Sequence, residues 1–238
     1  MERSRIMKTH RAVACAIATG LLCSLASSVR AEPPGPVVFS EIMWMGSSAS
    51  SSDEWIELFN RSAAPIDLSG WVITRLGSDG EATEMLRLGP VSMAPSGVFL
   101  ISNYSDGNAR TVLGVTPDLV SSAVSLSNSK LQVWLFDAPP EEGGRLIDAA
   151  DDGGGVPLAG DGKLKQAMVR VDFQMDGTQS EAWETAVEAA GWQQGASELG
   201  TPGSIPTRLL PTPLPPSPTA VPAMGWADVK ASARGVVN

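Results

Sequence analysis

The chain has 238 residues, 43% hydrophobic, 18% charged and 5% aromatic, with a formal charge of −9. A disordered acidic polymer would hold far less apolar material and a multispan membrane protein far longer apolar runs, so both are excluded, and the length allows one or two domains. Both cysteines, Cys15 and Cys23, and the single histidine, His10, fall within the first 23 positions.

Arg3, Arg5, Lys8 and Arg11 precede an uncharged run over residues 12–29, and Val29-Arg30-Ala31 ends in the small residue a signal peptidase accepts. Residues 1–31 therefore read as a secretory signal peptide cleaved between Ala31 and Glu32. A transmembrane anchor is the rival reading, because 18 uncharged residues reach the lower limit for crossing about 30 Å of hydrocarbon. Thr19, Gly20, Ser24, Ser27 and Ser28 dilute that run, and Leu22 before Cys23 is too bulky for lipoprotein processing. Cleavage leaves 12 basic and 25 acidic residues, a formal charge of −13, with no Cys and no His. A chain without imidazole or thiol cannot build a Ser-His-Asp triad, a His zinc site or a thiol nucleophile. Its acidity also argues against a nucleic-acid partner, whose phosphates are held by Lys and Arg. No cofactor is expected, and no membrane span after cleavage.

From residue 36 to about residue 173, short runs rich in β-branched and aromatic residues alternate with Gly, Pro, Ser, Asp and Asn clusters. That spacing predicts an all-β sandwich, with strands at 37–44, 54–59, 70–75, 83–88, 97–102, 131–136, 145–148 and 167–173. In 54–59 alternation puts Ile56 and Leu58 on one face and Trp55, Glu57 and Phe59 on the other, so both faces need cover and the strand belongs inside a sheet. In 131–136, Leu131, Val133 and Leu135 alternate with Gln132, Trp134 and Phe136. The expected core is Ile42, Trp55, Ile56, Leu58, Leu68, Gly70, Trp71, Leu100, Val133 and Leu135. Pro95-Ser96-Gly97 reads as a turn in which Gly97 takes the positive φ. One helix is expected: Thr178 and Glu181 have capping-box spacing, Trp183, Val187 and Ala190 share a face, and Gly191 stops it. Beyond Gly203, Pro206, Pro211, Pro213, Pro215, Pro216, Pro218 and Pro222 mark residues 206–238 as a linker, ending as a disordered or truncated tail.

Three blocks in order carry a resemblance: Val37-Val38-Phe39-Ser40-Glu41-Ile42-Met43-Trp44, then Asp53-Glu54-Trp55-Ile56-Glu57-Leu58-Phe59-Asn60, then Ile66-Asp67-Leu68-Ser69-Gly70-Trp71. With Met93 to Ile101, the run Ser125 to Trp134, and Gly200-Thr201-Pro202-Gly203, they resemble the bacterial branch of the lamin tail domain family. The resemblance spans residues 36–205. It implies an immunoglobulin-like β-sandwich, here followed by the Pro-rich tail read from composition, used for binding or tethering, in a setting where such domains accompany exported hydrolases or nucleases.

Other patterns carry chemistry that a bland reading explains as well. Ser127-Asn128-Ser129-Lys130 fits Ser-x-x-Lys but lacks the companion elements, so a polar turn is expected. Asp172-x-Gln174-x-Asp176-Gly177 imitates the start of a calcium loop, leaving a weak possibility of calcium, yet Trp183 stands where the bidentate Glu belongs. Glu41 and Glu57 could act as a carboxylate pair, or accept hydrogen bonds from loop backbone or pair with an Arg. Trp44, Trp55, Trp71 and Trp134 could stack sugars or fill the core. Asn60-Arg61-Ser62 and Asn103-Tyr104-Ser105 are glycosylation sequons. The expected function is a non-catalytic, exported binding or tethering module, secreted or in the cell envelope, whose partner is an envelope or extracellular protein or polysaccharide. The alternative is a carboxylate-dependent or calcium-assisted hydrolase, or its accessory domain; a third is a spacer.

Overall fold

The computed structural model describes residues 34–205 and Leu209, within the unit Glu32–Asn238. The signal segment, the Ala31–Glu32 cleavage site and the Pro-rich tail apart from Leu209 lie outside the described residues. Twelve strands form: β1 Val37–Met43, β2 Trp55–Asn60, β3 Ile66–Asp67, β4 Val72–Leu76, β5 Ala82–Arg87, β6 Ser92–Met93, β7 Val98–Ser102, β8 Leu119–Val120, β9 Val133–Phe136, β10 Leu146–Ala150, β11 Met168–Arg170 and β12 Trp183–Thr185. A six-stranded sheet runs β12-β11-β1-β2-β7-β8 and a four-stranded sheet β10-β9-β4-β5, with β3 and β6 paired alone. All pairs are antiparallel except β7 with β8.

The eight expected strands are all present, with ends shifted by a few residues. Ile42, Ile56 and Leu58 from the larger sheet meet Trp71, Ile73, Val133 and Leu135 from the smaller one in the core. Leu68 is buried beside Trp71. Trp55 and Leu100 are buried as well, but the pairing of Glu57 with Leu100 places them with Glu57 on the opposite face of the larger sheet. Gly70 differs from the expectation: it is exposed, and its contribution is a φ of +80° that turns the chain between Leu68 and Trp71.

Strict alternation from Val38 would drive Glu41 into the space between the sheets. A bulge at Ser40 shifts the register, so that Phe39 faces Leu58 but Glu41 faces Glu57 and Ile42 faces Ile56. The extra residue keeps the isoleucine inside and turns the carboxyl outward.

Beyond Thr185, residues 186–205 cross that outer face as a strap. Trp192 lies 6.0 Å from Trp55 between ring centroids, and Ile205 returns to the cluster of Val38, Phe59 and Phe173. The chain enters nearby, where the Arg61 amide donates to Pro36 O at 2.8 Å. All six residues of β2 are buried because the strap covers the face the core does not.

Two expectations fail locally. No helix forms from Thr178: a single 3-10 turn, Ser180–Ala182, runs directly into β12, and Val187 is 71% exposed. The apolar spacing there serves Trp183, whose Nε1 donates to Gly177 O at 2.8 Å, while the segment is needed as an edge strand on β11; tertiary pairing overrides a short helical pattern. In the turn before β7 it is Ser96 that takes the positive φ of 52°, not Gly97. Gly97 is required instead by space, since a Cβ would lie 3.0 Å from Ala94 O.

Trp71→Ala should cost about 3–5 kcal/mol in a denaturant melt, as removal of a large core aromatic does. Val187→Ala, at an exposed position, should shift stability by less than about 0.5 kcal/mol.

Candidate functional site

The interior of this protein holds an unusual number of carboxyl groups, each positioned by a strand or a turn. Glu41 and Glu57 stand directly opposite on β1 and β2. Glu41 is fully buried and accepts the Thr201 amide at 2.9 and 3.1 Å and the Thr201 hydroxyl at 2.8 Å. Glu57 accepts the Ser40 hydroxyl at 2.8 Å and the Gly203 amide at 2.7 Å. Burial pushes Glu41 up to about 7 against the pull of those donors. Burial and the neighbouring Glu41 charge hold Glu57 well above the usual carboxylate range. Gly200 makes the approach feasible: its φ is +150°, and a Cβ there would sit 2.5 Å from Glu41 Oε1.

The same use of carboxylates recurs around the sandwich. Asp53 accepts the Val112 amide at 3.1 Å, Glu54 the Leu126 amide at 3.1 Å, and Asp118 the Leu100 amide at 2.8 Å. Glu198 accepts Ser48 and Ser197 amides at 2.7 and 2.9 Å. Desolvation raises Glu54 to about 7. Asp148 binds the Phe39 amide at 2.9 Å and Arg170 Nη1 at 3.3 Å, with both side chains of the ion pair buried. Burial pushes Asp148 up to about 6 even beside that guanidinium. Arg170 also lies over the Trp183 ring at 5.0 Å and donates to Asp172 O and Met175 O. It thus joins β11 to the turn that follows.

The remaining sequence candidates resolve into turns and packing. Asp172 accepts the amides of Gln174 and Met175, and Asp176 the amide and hydroxyl of Thr178, so both close local turns. Ser127 bonds within the exposed turn to Ser129, and Lys130 sits at φ 56° with its amide on Gly155 O. Among the described residues no group of three or more His, Cys, Asp or Glu could hold a metal ion. Asn60 is buried, donating to Ala64 O and Ala94 O, and Asn103 donates to Val124 O, so both sequon amides are engaged inside the fold. The Gly-rich stretch over residues 151–162 folds back on Trp44, whose Nε1 donates to Ala159 O at 2.9 Å.

Trp44, Trp55 and Trp71 are core residues, whereas Trp134 is half-buried. On the outer face of the smaller sheet one row reads Thr74, Trp134, Ala149 and the next Val72, Phe136, Leu146. Trp134 and Phe136 are half-buried there and Leu146 is 55% exposed. Arg87 borders them, 2.8 Å from Glu84 and about 4 Å from Glu141 and Glu142. This open aromatic face contrasts with the sealed face under the strap, where the depression beside Val169, Glu184 and Thr201 encloses about 10 Å³, room for one water.

Chemically, a carboxyl that already accepts loop amides and is closed off from solvent cannot reach a substrate proton. The buried acids hold loops; the open face offers ring surface. Sequence reasoning reads Asp148 as part of a solvated loop, meets Arg170 only in the Ala167-Met168-Val169-Arg170 run of the resemblance and gives Trp192 no role. In the structure Asp148 is buried between β1 and Arg170, and Trp192, in the strap, packs on Trp55. Asp148→Ala leaves the Arg170 guanidinium buried without its counter-charge and should cost about 3–5 kcal/mol, measured by chemical denaturation at neutral pH.

No curated protein matches the chain. Among solved structures, a DUF4876 family protein from Bacteroides thetaiotaomicron VPI-5482 is similar, at 14% identity over 76% of this chain and 75% of that one, with a TM-score of 0.38. A family model for the Lamin Tail Domain, a non-catalytic immunoglobulin-like fold, matches residues 30–154, more than half of the sequence. The all-β sandwich with its three strand blocks is therefore a lamin tail domain, and the chain belongs to that family.

Proposed function

We propose that this protein is an exported, non-catalytic module that binds or tethers at the cell envelope or outside the cell. The observation that carries the reading is the division of labour between the two outer faces. Glu41 and Glu57, the acids best placed for catalysis, are consumed by Thr201 and Gly203 under the strap. Trp134, Phe136 and Leu146 stand open on the other sheet, with charge at the rim. Aromatic rings carried on a sheet suit an extracellular polysaccharide or protein surface, because they offer large contact area and lose little conformational freedom on contact.

The export half rests on the basic start, the uncharged run and Val29-Arg30-Ala31. N-terminal sequencing of secreted material should begin at Glu32; an intact N terminus in the membrane fraction would replace the signal peptide with an anchor. For the binding half, Trp134→Ala combined with Phe136→Ala should weaken retention on isolated envelope polysaccharide or envelope protein at least about tenfold, with the fold retained by circular dichroism. Equal retention of parent and variant would remove that face from the interaction.

A further inference from the structure

The clamp under the strap has a chemistry that structural support alone does not require. Two acidic side chains stand face to face across adjacent strands, an arrangement that is destabilising when both are charged. Both carboxyls bind the same short stretch, through the amides of Thr201 and Gly203. The charges around them are acidic too. Glu188 from the strap acts on Glu41, Asp118 beside Leu100 acts on Glu57, and Glu184 of β12 continues the same cross-strand row through Val169.

We propose that Glu41 and Glu57 form a proton-operated latch that holds the strap closed while the pair keeps a proton and loosens it when both are ionised. The sign follows from linkage. The two titrate as a unit, and Glu41 is raised from 4.5 to about 7, so the folded state binds more protons than the unfolded chain across that interval. The closed state is therefore favoured fully at pH below the unfolded value and loses that advantage as pH rises through about 7. Opening would uncover Trp55 and Leu100, which lie beneath the strap on the face of Glu57. The latch is independent of the reading given for the aromatic face, since it involves the opposite sheet.

The test is hydrogen exchange on the full-length protein, read as protection of the Thr201 and Gly203 amides relative to their intrinsic rates at pH 5.5 and pH 8.5. The amides of Leu58 and Phe99, inside the sheet, are the internal reference. Strap protection should fall at least about tenfold more than the reference, the equivalent of one pKa unit of coupling. Glu57→Gln and Glu41→Gln each remove the repulsion and keep an acceptor oxygen but leave one buried carboxyl to titrate, so each variant should lose part of the pH dependence of strap protection, and the double variant nearly all of it. A parent whose strap protection tracks the reference overturns the latch, and this outcome needs no variant to fold. A pH dependence that survives unchanged in both variants also overturns it.

Discussion

Burying a carboxyl group without a counter-charge is costly, and this fold meets that cost almost everywhere with backbone amides. Among the described residues Arg170 is the buried cation joined to an acid, at Asp148; elsewhere the acceptors are matched to backbone N–H groups, as Asp53 is to Val112, Glu54 to Leu126 and Asp118 to Leu100. Each such bond satisfies a backbone amide and fixes one segment of the chain to another. All Cys and His lie within the first 23 residues, so no disulfide and no Cys or His metal ligand is at hand beyond them to do this work. These carboxyls tie loops to strands from either side, Glu41 and Glu57 from within β1 and β2 and Asp118 from a loop onto β7.

Much of the fold was legible because period-two patterning acts locally. Ile56 and Leu58 against Trp55, Glu57 and Phe59 already told that β2 is covered on both sides, and the strand lies between β1 and β7. The Ser40 bulge was not legible, since it depends on which partner residue each side chain meets. Trp183 misled for a related reason: its spacing with Val187 fits a helix, yet the indole is fixed by Gly177 and Arg170, which only the folded chain brings to it. Glu41 and Glu57 were visible as acids in apolar strands, and loop backbone was among the partners expected for them. That both would hold one turn 160 and 146 residues away could not be read from spacing.

The family match ends at residue 154, before β11, β12 and the strap. Those elements are not ornament. Without β11, β1 would be an edge strand of seven buried residues, an invitation to pairing with another chain. Without the strap, Trp55 would lose Trp192 and the carboxyl pair would lose its donors. The segment after the matched region converts a half-covered sheet into a closed one, and it does so through the Gly-Thr-Pro-Gly turn at residues 200–203.

The two ends of the sandwich meet at one place, with Pro36 bonded to Arg61 and Ile205 against Val38 and Phe59. A folded module of that shape adds almost nothing to the reach of any polymer that runs through it. Its reserve is contour length: the 170 residues from 36 to 205, drawn straight, would span on the order of 550 Å. Tension applied at both ends of the sandwich would bear first on the strap and its two carboxylate clamps, because these join Thr201 and Gly203 to β1 and β2. The domain would behave as a coiled reserve in series with its neighbours, released when that closure gives way.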